Sequence, residues 1–429
     1  MSGDRAVMTT DAAGRPTCPV AHGIPFDVLD PRQAADPSLW LDQAQRDAPV
    51  FYMPERDMWC VTGYENVLTV LRDTETFSSE NVIPLAHLAD DLAEAFGDAV
   101  RDRPLVTLDP PEHTRLRKPA QKGFTPKMIA SKAGIVRDLC DALIDDFIAD
   151  GRCDVVSQLA EHLPAKAITA LVGAPAERAP QFYEWAQDRV AALVGAPQLD
   201  EEQRKALVER AKQFNGWLVE FVNSRREAPE EDLTSELAHA VDSDGKPALS
   251  TADVVNLIAT ILSAGSTTTT NFIPAAIQEL LREPRRWEEL RADRSLIPDA
   301  VEECLRLRTS VRGVNRLTTR DVELGGVTIP ADSNLYVHYT AAQRDAEVFE
   351  DPGRYDVHRP NLRRHFAFGR WTHMCLGAPL ARLETQIVIE QFLDRLPGVR
   401  LEPGQSEEWI PHLLTPGMKS LYVEWDVPA

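Results

Sequence analysis

Residues 250–284 limit the fold more than any other part of the sequence. Ser250 suits a helix N-cap, Asp253 follows three residues later, and an apolar run comes after them. The helical pattern lasts until Pro284, roughly 33 residues or about 50 Å at 1.5 Å rise per residue. That length crosses a domain of this size, so the other elements must pack around it. Its middle, AGSTTTTNFIP, is polar and poorly suited to a helix. Threonine hydroxyls bond the carbonyl one turn back and bend the helix, and Pro274 lacks an N–H and crowds the carbonyl of Thr270. A central helix distorted in this way points to a functional site rather than plain core.

The segments around it are mainly helical. Residues 1–37, rich in Ala, Pro, Asp and Gly, read as a flexible arm that joins the fold near 25–37, and residues 38–429 as a single domain. A first helix is expected over 38–48, two strands about a turn at 54–57, and a helix over 62–73. Residues 111–290 are mostly helical, with Gly and Pro at the breaks. A short helix over 299–308, a hairpin about Gly325 and Gly326, and a strand over 334–341 follow. Residues 343–374 lack periodicity, and loops that long in a compact fold are usually functional. An amphipathic helix then begins at 376–377. The fold class is mainly α with a smaller β region.

Composition narrows the function. The 429 residues carry 46 basic and 67 acidic side chains, a formal charge of −21. That balance argues against binding to nucleic acid or to an anionic membrane. No apolar run of about 18 residues occurs, and the N-terminus lacks the apolar core of a signal peptide, so a cytoplasmic protein is expected. Six cysteines, at 18, 60, 140, 153, 304 and 375, form no CxxC pair, which disfavours a disulfide scaffold or a Cys-rich zinc site. Five read as small core residues. Cys375 differs, because it ends a Gly-containing loop directly before a helix. Free N–H groups and the helix dipole stabilise a thiolate there, and Gly377 permits close backbone approach to a flat cofactor. A buried Cys at a helix start and a nucleophile assisted by His373 are the alternatives.

The stretch FAFGRWTHMCLGAPLAR, residues 366–382, resembles the haem-binding loop of the cytochrome P-450 family, FGxGxHxCxG. Phe368, Gly369, His373, Cys375 and Gly377 match, and the likeness continues through AxxLAR at 378–382. Trp371 stands where the family has Gly. A Trp resists positive φ, so either the loop differs locally or the indole covers the proximal pocket. Three further segments are similar to the family in order and spacing. Glu303 and Arg306 match ExxR, and RYDVHRP supplies Arg359, which implies a structural network bracing the cofactor loop. The preceding AAQRDAEVFEDP departs from the family at Gln343. In DPPEHTRLRKPAQKGFTP, His113 and Arg117 match haem-propionate contacts, as do Arg316 and His365 elsewhere. In the long helix Ala264, Gly265, Thr268 and Thr269 match AGx(D/E)TT, with Thr267 at the acidic position.

The resemblance implies the cytochrome P-450 fold and haem b (iron protoporphyrin IX), with Cys375 as the axial metal ligand. The haem would lie between the long helix and the Cys375 loop. The implied activity is a monooxygenase oxidising a small organic substrate with dioxygen. Its two electrons would come from an external donor such as ferredoxin with its reductase. Thr268 and Thr267 are the candidate catalytic residues, since the family's acid and following Thr relay protons to dioxygen. The missing carboxylate leaves atypical chemistry open: peroxide-driven oxidation, coupling, nitration or dehydration. A non-catalytic haem sensor or binding protein is a further alternative. Segments 81–96, 182–194, 262–268 and 311–315 are candidate pocket walls, with Ala264 and Arg312 as possible substrate contacts. Lys118, Lys122, Lys127, Arg363, Arg364 and Arg370 flank the cysteine face and form a basic island suited to an acidic electron donor.

Overall fold

The computed structural model describes residues 7–21, 23–30, 33, 38–82, 90–97, 104–195, 200–410 and 412–427. The first half supplies α1 (Ser38–Asp47), β1 (Val50–Met53), β2 (Met58–Val61), α2 (Tyr64–Arg72) and β3 (Phe77–Ser78). Then come α3 (Glu112–Ala120), α4 (Ala133–Asp145), α5 (Leu163–Val172), α6 (Ala179–Gly195) and α7 (Glu201–Glu227). The long helix is α8 (Thr251–Leu281), followed by α9 (Ile297–Arg308) and β4 (Gly313–Thr318). A hairpin of β5 (Val322–Leu324) and β6 (Val327–Ile329), then β7 (Asn334–His338) and α10 (Ala378–Arg395), complete the frame used below.

Helix α8 runs through the centre. The Ser250 hydroxyl accepts from the Asp253 N–H at 3.0 Å, and the Asp253 carboxylate accepts from the Ser250 N–H at 2.8 Å. This reciprocal cap satisfies two donors that a helix start otherwise leaves open. Pro274 lies inside the helix without ending it. The hydroxyls of Thr267, Thr268 and Thr270 each donate to the carbonyl one turn back, at 3.3, 3.0 and 2.7 Å. Helices α5, α6, α7, α9 and α10 all pack against α8. Gly265 permits the close approach of α5, because a Cβ there would come within 2.9 Å of the Ile168 side chain.

The main sheet has the order β1-β2-β7-β4-β3, with β2 and β7 parallel and the other pairs antiparallel. Val50, Trp59, Leu335, Val337 and Phe366 close a second apolar cluster on it. No helix among the described residues is long and apolar enough to cross a membrane.

One expected element differs from the structure, at 334–341. Among the described residues of the N-terminal segment, Val7 pairs with Val20, Thr17 bridges to Tyr52, and Cys18, Ala21 and Phe26 are buried. The Arg15 guanidinium sits 3.6 Å from the centre of the Tyr52 ring. A few apolar side chains seat this segment against the sheet, and the Ala- and Pro-rich composition around them obscures that. The strand expected over 334–341 ends at His338, whose buried ring accepts from the Ala341 N–H at 3.3 Å and turns Tyr339–Ala342 into a helical turn.

Residues 343–374 contain only short turns, so side chains must fix their path. Arg306, 0% exposed, pairs with both oxygens of Glu303 at 2.7 Å. Its remaining N–H groups donate to the carbonyls of Gln343, Pro352 and Arg354. Arg359 reaches Glu303 at 3.4 Å and the carbonyls of Glu350, Asp351 and Arg354. Buried Gln343 joins the two ends: its amide donates to Arg306 O at 3.0 Å and accepts from the Phe366 N–H at 2.8 Å. Arg306→Ala should therefore cost about 3–5 kcal/mol, because it leaves the buried Glu303 carboxylate with only the longer Arg359 contact. Chemical denaturation reads this directly, and a loss no larger than that of a surface ion pair would mean that the loop is held elsewhere.

Candidate functional site

A cavity of about 260 Å³ lies between α8 and the loop that enters α10. Apolar side chains from several segments line it, among them Leu105, Ile168, Leu257, Ile261, Phe272 and Val314. Ala264, Gly265, Thr268 and Thr269 face it from α8, and Phe368, Gly369, His373, Cys375 and Gly377 from the loop. Gly369 has φ of 62°, a left-handed value that favours glycine. The loop closes on itself as the Cys375 N–H donates to Phe368 O at 2.8 Å.

Cys375 is the exposed cysteine of the six, and the other five are buried. Its open surface faces the cavity, so the thiol is reachable yet largely desolvated. Burial pushes the thiol up, while the N–H groups of Gly377 and Ala378 and the charges of Arg117 and Arg382 pull it back toward the thiolate. Among the described residues no cluster of three or more His, Cys, Asp or Glu could hold a metal ion.

The polar wall is short of anions. Both ring nitrogens of buried His113 lack a hydrogen-bond partner, and burial, then Arg117, holds its pKa down at about 4. The His373 ring lies 4.3 Å from the His113 ring, and its Nε2 meets Ser79 Oγ at 2.9 Å. Arg117 donates to Met374 O, and burial lowers its pKa. Arg316 lies on β4 off the cavity lining, donates to Asn315 O at 2.7 Å, and is likewise lowered by burial. Neither arginine has an ion-pair partner among the described residues. A buried cation without a counter-charge is costly, so this wall is suited to an anionic group.

Besides Arg316, three expected site residues lie off the cavity lining. His365 is not a cavity residue: its Nε2 meets Glu302 at 2.9 Å, and Glu302 also binds Arg382 at 2.5 Å. That triad, with buried His365 and Glu302 and half-buried Arg382, joins α9 to α10, and the Arg382 guanidinium lies 4.4 Å from the Phe368 ring centre. Arg312 does not line the cavity; its guanidinium lies 5.3 Å from the Trp409 ring centre. Thr267 turns its hydroxyl to Ser263 O and is absent from the cavity lining, whereas Thr268 lines it. Of the candidate walls, residues 83–89 fall outside the described residues.

Sequence reasoning missed Ser79, Glu302 and Tyr339. Nothing local marks Ser79, whose position is set by Asp109 accepting from its N–H at 3.0 Å. Glu302 had a signal, since it lies one residue before ExxR and so on another face of the same helix.

Trp371 holds φ of 52° and is 45% exposed. The loop therefore keeps a glycine-type backbone with a Trp in it, and the indole faces outward rather than covering the pocket. Left-handed φ costs an L-residue roughly 1–2 kcal/mol. Trp371→Gly should raise the thermal midpoint by a few degrees; an unchanged or lower midpoint would mean that indole contacts outweigh the strain.

Comparison with known proteins gives one answer. The family described as cytochrome P450 matches residues 40–417. The chain is 33% identical over 399 residues to cytochrome P450 monooxygenase PikC of Streptomyces venezuelae, covering 91% of this chain and 92% of PikC. Among solved structures, CYP109Q5 from Chondromyces apiculatus superposes with a TM-score of 0.83 at 30% identity, covering 94% of this chain and 98% of that one. CYP109E1 from Bacillus megaterium in complex with testosterone gives 0.80 at 29% identity, covering 91% and 100%. A match that takes in the long helix, the braced loop and the cysteine together places this chain in the cytochrome P450 family, oxidoreductases that carry a haem with a thiolate ligand.

Proposed function

We propose that the chain is a monooxygenase that binds haem b through Cys375 and oxidises an apolar organic substrate with dioxygen and two externally supplied electrons. One observation carries the reading: the single exposed thiol lines an apolar cavity beside Arg117, which has no ion-pair partner among the described residues, and His113, whose ring nitrogens are unbonded. Haem b fits that donor set, with an apolar ring for the walls, two carboxylates for His113 and Arg117, and an iron for the thiolate. Bound there, it would supply activation of dioxygen, which an electron-rich thiolate favours.

The chain's own residues would do the rest. The N–H groups of Gly377 and Ala378 stabilise negative charge on sulfur. Arg117, and Arg316 through its charge on His373, supply positive potential at the carboxylates. Thr268 offers a hydroxyl to the distal side and can pass a proton on. Leu257, Ile261 and Phe272 exclude water and favour an apolar guest. The testosterone complex of CYP109E1 makes steroids the first panel to titrate.

A second reading is favoured by Thr267. The threonine run holds no carboxylate, so peroxide, which brings its own protons, is a possible oxidant.

The electron donor would dock on the cysteine face. Lys118, Lys122, Lys127 and Arg364 are exposed there, as are the apolar Trp371 and Met374. Arg363 contributes less, being paired with Asp299 at 3.0 Å, and Arg370 bonds the Arg363 and His365 carbonyls. With a ferredoxin and reductase, reduction should slow as salt rises, since the Debye length is about 10 Å at 0.1 M. Lys122→Glu with Arg364→Glu should slow it further and leave steroid titrations unchanged. Turnover with peroxide but none with the donor would favour the second reading; no turnover with either would leave a haem-binding protein.

A further inference from the structure

Arg382 of α10 places a cation behind the cysteine loop. Its guanidinium lies over the Phe368 ring, 4.4 Å from the ring centre. Phe368 lines the cavity, and its carbonyl accepts the Cys375 N–H at 2.8 Å. The ring therefore has the cation on one side and the cavity on the other, a contact that its negative face favours.

An opposing charge stands behind Arg382. Buried Glu302 of α9 accepts from Arg382 Nε at 2.5 Å on one oxygen and from Nη2 at 3.0 Å on the other. His365 closes the far side, with its Nε2 at 2.9 Å from the same carboxylate. The other ring nitrogen accepts from the Ala367 N–H at 3.2 Å, so it carries no proton, and the ring is a neutral donor. Burial pushes the Glu302 carboxyl up, but the bonds from His365 and Arg382 outweigh it and hold the pKa down at about 2. The triad thus has no net charge. It is polarised, with its positive end on Phe368 and its negative end on α9.

We propose that Arg382 and Glu302 set the reduction potential of the bound haem from opposite sides, with Phe368 as the surface between the cation and the cavity. Both are positioning residues, since neither lines the cavity. Reduction puts one more negative charge into the cavity. A nearby cation favours that charge and a nearby anion opposes it, and both effects are strong where little water screens them. Second-shell bonding and burial are the levers by which a protein tunes such a centre. An apolar contact would join α9 to α10 without the cost of burying Glu302, but it would supply no charge beside Phe368.

This inference rests on the haem-thiolate reading, and the test separates the two. Spectral redox titration of the haem-loaded parent and variants gives the potentials. Arg382→Gln should shift the potential negative, and Glu302→Gln should shift it positive. Arg382→Lys, which keeps the charge, should stay nearer the parent than Arg382→Gln does. Loss of packing alone gives no reason for shifts of opposite sign. Unchanged potentials, shifts of the same sign, or an Arg382→Lys potential displaced as far as that of Arg382→Gln would overturn the inference. Arg382 is half-buried, so its two variants decide the matter even if Glu302→Gln folds poorly. A parent lacking thiolate-type absorption would instead refute the reading on which the inference stands.

Discussion

Arg306 has no access to water, so the chain itself must satisfy its guanidinium. Two of its N–H groups go to Glu303, and the rest go to carbonyls of the segment that precedes the cysteine loop. A 343–374 stretch without helix or strand has few backbone bonds of its own, so it takes its shape from these donors and from Arg359 and Gln343. The position of Cys375 follows from that. Gln343 fixes Phe366 against the end of α9, the Gly369 N–H donates to Phe366 O and sets the turn, and the Cys375 N–H closes it onto Phe368 O. A departure from the family motif, Gln343, is thus one of the clamps.

The cavity shows the opposite economy of charge. Around Arg306 every cation is matched, whereas half-buried Arg117 and buried Arg316, whose charge acts on His373 of the lining, form no ion pair among the described residues, and buried His113 keeps both ring nitrogens unbonded. Low dielectric makes such a wall unfavourable when empty and strongly attractive to an anion. The thiol sits under the same strain, with burial opposing its charge and the start of α10 favouring it. Fold and site therefore divide the work: the satisfied network gives rigidity, and the unsatisfied wall gives affinity.

Much of this was legible in the sequence, for identifiable reasons. Capping chemistry and an apolar period long enough to average out noise located α8, and Gly325 and Gly326 located the β5–β6 hairpin. The Cys375 loop was legible because its constraints are local: a left-handed glycine, a cysteine and a helix start within nine residues, 369–377. What escaped depends on partners distant in sequence. His365 carries a ring that would suit a carboxylate, but Glu302, 63 residues away, takes it. Thr267 and Thr268 differ only in which side of α8 they occupy, and Cys18 and Phe26 give no hint in composition that they seat an N-terminal arm.

The central claim is that Cys375 ligates the haem iron. The most direct measurement is the absorption spectrum of the reduced, carbon monoxide-bound protein and of Cys375→Ala. The account predicts a strongly red-shifted Soret band in the parent and its absence in the variant. A parent spectrum of the histidine-ligated type, or a variant that keeps the red-shifted band, would contradict it.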